Sequence, residues 1–94
     1  MSIMRNRQRH EIVRDILIVC NGGSIISKVM FHSYLSHAQA KAYLSELIES
    51  GLIERDIFDT KKYLATNKGL EYLARLETMS DMLGLEVKKA KVIA

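Results

Sequence analysis

The chain has one cysteine, no tryptophan and no proline in 94 residues. A lone cysteine, Cys20, excludes an internal disulfide and fits a reducing cytoplasm. No apolar run approaches the roughly 18 residues that a bilayer-spanning helix requires. The opening stretch "MSIMRNRQRH" is too polar for a secretory signal, and the expectation is a soluble protein of the cytoplasm. Internal repeats and low-complexity tracts are absent too. The three histidines, His10, His32 and His37, lie apart and are not joined by cysteines or carboxylates at metal-ligand spacing. "NGGS" lacks the Gly-Lys-Ser/Thr ending of a phosphate loop. No enzyme, cofactor, metal or small-molecule ligand is therefore expected.

The composition is 48% hydrophobic and 27% charged, which is globular rather than disordered. Fourteen Lys and Arg against eleven Asp and Glu give a formal charge of +3, a mild bias towards polyanions. The length suits one domain, or one small domain with an appendage. A chain this short buries only about 60–65% of its unfolded surface, so a partner subunit would help it.

Hydrophobic periodicity supplies the elements. From Arg7 to Cys20 the apolar residues Ile12, Val13, Ile16, Leu17 and Cys20 make one helical face. "NGG" at 21–23 ends that helix, and "SII" is β-branched enough for a two- or three-residue strand. Ser27, with Ser24 as its rival, reads as the N-cap of a brief helix over Lys28 to Ser33 that buries Val29 and Met30. Ser36 and Gln39 have capping-box spacing, and Ala40, Tyr43, Leu44, Leu47 and Ile48 form the core face of the helix they open. Gly51 closes it. "LIERDIF" and "KKYLAT" read as two strands around a turn near Asp59 and Thr60. Thr66 caps a last helix in which Leu70, Leu73 and Leu76 return to the domain, and Gly84 breaks it.

The order is helix, short strand, helix, helix, hairpin, helix. A short helix joined to a longer one by a tight turn is a helix-turn-helix, and the hairpin behind it is a wing. The expected fold is mainly α with a small β-hairpin wing. Residues 1–66 form the winged helix-turn-helix domain with a basic amino-terminal arm. Residues 67–94 form the carboxy-terminal helix and tail.

"YLSHAQAKAYLSELIESGLIERD" followed by "YLATNKGLEYL" resembles the archaeal ArnR-like winged-helix family. The pattern is Leu-Ser, a Tyr-Leu pair, Gly-Leu-Ile, and later Tyr-x-x-Thr-x-x-Gly, and the likeness covers about residues 9–77. The resemblance implies a basic protein that binds double-stranded DNA and forms a homodimer through a carboxy-terminal coiled-coil helix. It also implies a nucleoid-associated location.

In that frame the helix over about residues 37–50 offers His37, Ala38, Gln39, Lys41, Ala42 and Ser45 on its open side. A major groove admits a helix, Gln and Lys meet purine edges, and small residues allow close approach. Lys41 is the residue singled out. An ordinary solvated face, with Gln39 occupied in capping, is the other reading. Lys61 and Lys62 on the wing suit phosphate contact, or simply guard an exposed edge. Arg5, Arg7 and Arg9 ahead of the first helix suit an arm that touches a groove or phosphates, or are merely solvated. Ser27 and Lys28 suit a phosphate at a helix start, against plain capping.

Cys20, on a core face, reads as a small hydrophobe. Tyr72, Leu76, Met79 and Leu83 step by 4, 3 and 4, the spacing of a coiled-coil seam, and Leu73 widens the stripe towards the domain. The plainer reading is that this helix packs on its own domain; but a domain of this size cannot cover two full heptads, so the stripe is expected to hold a symmetric dimer. The tail "LEVKKAKVIA" has too little pattern to place. The competing class is a winged-helix protein-interaction module, favoured by Glu46, Glu49, Glu54, Asp56 and Asp59, which dilute the positive potential.

Overall fold

Residues 8–84 are described in the computed structural model. The first helix, α1 (Arg9–Cys20), buries Val13, Ile16, Leu17 and Cys20, and Ile12 is half-buried beside them. The backbone N–H of Gln8 donates to Glu11 Oε1 at 3.0 Å, which fixes the entry. Gly22 and Gly23, at φ +93° and +104°, then turn the chain into β1 (Ser24–Ile25), as "NGG" led one to expect.

The second helix, α2 (Ile26–Ser33), starts before the expected boundary. Ser27 is not its N-cap: that position is Ile25, which is extended and makes no side-chain cap. Ile25 is held in register with Lys62 of the hairpin. The chain therefore passes straight from sheet to helix, and the cap falls on the last strand residue. Tyr34 closes α2 in the left-handed region at φ 57° and ψ 47°, and Leu35 N–H donates to Met30 O at 3.0 Å.

Two residues on, α3 (His37–Glu49) opens with the expected capping box. Ser36 Oγ accepts the Gln39 N–H at 3.1 Å, and Gln39 Oε1 accepts the Ser36 N–H at 2.9 Å. The helix lays Ala40, Leu44 and Leu47 into the core.

The hairpin strands are β2 (Ile53–Arg55) and β3 (Lys62–Ala65), shorter than the apolar stretches suggested. β2 stops at Arg55, and past it the Asp56 and Asp59 carboxylates accept the loop's own Phe58 and Lys61 amides. Asp56 N–H donates to Lys62 O at 3.0 Å and Lys62 N–H to Asp59 O at 2.8 Å. All three strands join one antiparallel sheet, β1-β3-β2, with Ser24 and Arg55 both opposite Tyr63.

The last helix, α4 (Asn67–Leu83), begins at a joint that explains two of the sequence patterns. Thr66 Oγ1 accepts the Gly69 N–H at 3.0 Å and donates to Gly51 O at 2.6 Å. The Thr66 N–H donates to Leu52 O at 3.0 Å. A Cβ on Gly69 would collide with the Leu52 carbonyl oxygen and sit 3.2 Å from Leu17 Cδ2. Gly-Leu-Ile and Thr-x-x-Gly are thus the two halves of one packed corner, where a side chain has no room. Lys68 Nζ adds a bond to Ser50 O at 2.8 Å. Gly84, at φ +77°, ends α4 as expected.

The core lies between α1, α2, α3 and the sheet, with Val29, Leu52, Ile53 and Tyr63 completing the cluster. Burial pushes the Cys20 thiol up to about 11, which suits the inert packing role read from its position. Among the described residues, no helix is long and apolar enough to cross a membrane, and no group of three or more His, Cys, Asp or Glu could hold a metal ion.

Candidate nucleic-acid interface

With Ala40, Leu44 and Leu47 directed inward, the period of the helix leaves His37, Ala38, Lys41, Ala42 and Ser45 outward, and all five are exposed. Their side chains are short except at His37 and Lys41, so a flat surface could approach the backbone closely. Gln39 is exposed too, but its Oε1 is engaged in the capping box, so only its amide NH2 remains to meet a ligand. These positions are exposed, as the helical period led one to expect, and Gln39 is occupied in capping, as the alternative reading had it.

Arg9 is the first residue of α1, not part of an arm ahead of it. Its guanidinium pairs with Glu46 of α3 and lies over the Tyr43 ring, 5.2 Å from the centroid. The hydrogen bond and charge of Glu46 raise the Arg9 pKa further above its ordinary value. Glu46 and Arg9 thus offset one another on one flank of α3, while Lys41 stands on the other. Arg5 and Arg7 lie outside the described residues.

Ser27 and Lys61, read separately in the sequence, come together. They line one groove of about 320 Å³ with Ile25, Ile26, Arg55 and Tyr63, where the start of α2 meets the root of the wing. Lys28 and Lys62 are exposed on the neighbouring turn and strand. Arg55 was missed by the sequence reading. Its guanidinium stacks 4.8 Å from the Tyr63 centroid and donates to Thr60 O at 2.6 Å, bracing the wing. Its signal was cross-strand pairing with Tyr63, which depends on the register.

Along α4, Tyr72, Leu76, Met79 and Leu83 line an apolar groove of about 350 Å³ together with Ser80 and with His10 of α1. Met79, Met82 and Leu83 are 56%, 81% and 72% exposed, so the last two turns of α4 leave an uncovered apolar stripe. Leu73 instead packs against the core. His10 is the second residue that the sequence reading left out, since it reaches this groove from another helix.

The chain belongs to the winged helix-turn-helix family, whose profile matches residues 6–84. Its mainly helical architecture with a small antiparallel sheet is that fold. Among solved structures it is similar to the crystal structure of Sso10a-2, a DNA-binding protein from Sulfolobus solfataricus. The two share 25% identity with a TM-score of 0.65, over 94% of this chain and 97% of that one. No curated protein matches.

Proposed function

We propose that this protein binds duplex DNA as a dimer, in the role of a transcriptional regulator or an architectural protein. The observation that carries the reading is the outward face of α3. It is exposed, polar and small-sided, and it stands on a helix fixed by a capping box at one end and buried leucines beneath. A helix of this shape fits a major groove, with Lys41 and the amide of Gln39 at base edges or phosphates. Ser27, Lys28, Lys61 and Lys62 hold the backbone alongside, and Arg5 and Arg7 supply further phosphate contacts. Residues 1–66 carry the DNA-facing surface and residues 67–94 the self-association.

Similarity over almost the whole length to a Sulfolobus DNA-binding protein supports the activity, and kinship with the archaeal ArnR-like branch rests on the sequence motifs alone. The dimer would bury Tyr72, Leu76, Met79 and Leu83 against a second copy, with Leu73 at its inner edge. Linking two modest DNA contacts in this way raises the affinity of the pair without any new contact. The reading of a protein-interaction module draws on the exposed carboxylates of Glu46, Glu49 and Glu54.

Fluorescence anisotropy of a labelled duplex, titrated at several salt concentrations, separates the two. DNA binding predicts saturable association whose log K falls steeply and linearly with log salt, as counterions are released. A folded dimer that leaves the duplex free at low salt would favour the interaction module.

A further inference from the structure

The two most exposed large apolar side chains among the described residues stand side by side on the wing: Ile57 at 84% and Phe58 at 92%. Their loop is held in shape. Asp56 Oδ1 accepts the Phe58 N–H at 2.8 Å, and Asp59 Oδ1 accepts the Lys61 N–H at 3.1 Å. Arg55 ties the far side by its bond to Thr60 O. The two carboxylates nearest the tip are therefore turned towards the loop's own amides, while Lys61 and Lys62 follow directly behind it.

An apolar pair projecting from a narrow hairpin needs an occupant that takes a wedge. Two side chains supply far less than the ~800 Å² per partner of a stable protein interface. They also supply less apolar surface than a single acyl chain, which anchors only marginally to a bilayer. A base step is different: its gap is filled by one flat ring, and the phosphates on either side meet lysines.

We propose that the wing tip is a DNA wedge, in which Phe58, backed by Ile57, enters a base step through the minor groove and kinks the duplex. This rests on the DNA-binding reading above. The ring of Phe58 takes the stacking partner's place, Ile57 covers the opened sugar edge, and Lys61 and Lys62 neutralise the phosphates that the bend draws together. The DNA then carries a bend that α3 alone would not impose.

The chain has no tryptophan, so Phe58→Trp places a lone reporter at the tip. Its emission should be quenched on adding duplex and unchanged by phosphatidylglycerol vesicles. In parallel, an end-labelled duplex should show a shortened end-to-end distance by energy transfer with the unmodified protein. Phe58→Ala should restore the straight duplex, while affinity falls only about 3- to 10-fold because the phosphate contacts persist. Phe58→Leu should retain most of the bend. Equal bending by Phe58→Ala, or a tryptophan shift with vesicles and not with DNA, would overturn the wedge while salt-dependent binding stands. Absence of duplex binding by the unmodified protein would overturn the wedge and the DNA reading together.

Discussion

The outward faces of α3 and α4 are both uncovered, yet they differ in kind. On α3 the exposed positions are His37, Ala38, Lys41, Ala42 and Ser45; on the last turns of α4 they are Met79, Met82 and Leu83. The first face is polar and stable in water, and a polyanion that met it would do so by releasing counterions, a reversible and salt-sensitive contact. The second face loses about 1.5–3 kcal/mol of burial for each large side chain left in water, which suits a lasting partner. In the proposed function the first face serves transient recognition and the second serves assembly. The corner at Thr66, Leu52 and Gly69 holds the two in a fixed relation.

Breaking that corner should have the largest effect. Gly69→Ala forces a methyl group into the Leu52 carbonyl and should destabilise the fold by about 2–3 kcal/mol. Thermal unfolding should show a Tm lower by roughly 10 °C or more. An unchanged Tm would mean that α4 is free to slide, and that the two faces are not rigidly coupled. Leu76→Asp comes next. It should reduce the sedimentation mass from two chains to one and weaken duplex binding by about 100-fold through lost bivalency. An unchanged mass would remove α4 from the dimer.

Much of this contrast was legible in the sequence, because it rests on local rules. Helical spacing selected the buried faces, the Ser36–Gln39 pair and Thr66 marked two helix starts, and Gly84 marked a stop. What was not legible depends on distant pairing. Ser27 was read as a cap because the pairing of Ile25 with Lys62 joins segments 37 residues apart in the chain. Arg9 was read as part of an arm because its partner, Glu46, lies on another helix. The strand over "LIERDIF" was drawn too long because apolar Ile57 and Phe58 mimic strand residues. The flanking Asp56 and Asp59, whose side chains bond to the amides two residues on, were the available signal. His10 and Arg55 carry no local signal of their roles.

Smaller effects sharpen the comparison. Cys20 lies in the core cluster, and its folded pKa of about 11 stands above its ordinary 9.0. The folded state therefore holds the proton more tightly. Stability from this group is fully present below pH 9 and is lost as pH rises towards 11, by about 3 kcal/mol. Urea unfolding across that range should show a steeper decline for the unmodified protein than for Cys20→Ala. Parallel declines would mean that the thiol is reachable by water. Lys41→Ala should be the mildest of these changes, weakening duplex binding about 5-fold and reducing the salt slope by about one, with mass and Tm unchanged. An unaltered slope would take Lys41 off the phosphates.

Amide chemical shifts of the isotopically labelled protein, followed while a short duplex is added, test the division between the two faces most directly. The largest changes should fall on His37 to Ser45 and on the wing from Ile57 to Lys62, while Tyr72 to Leu83 stay in place. Changes concentrated on α4, or none at all with a folded protein, would contradict the assignment of DNA to α3.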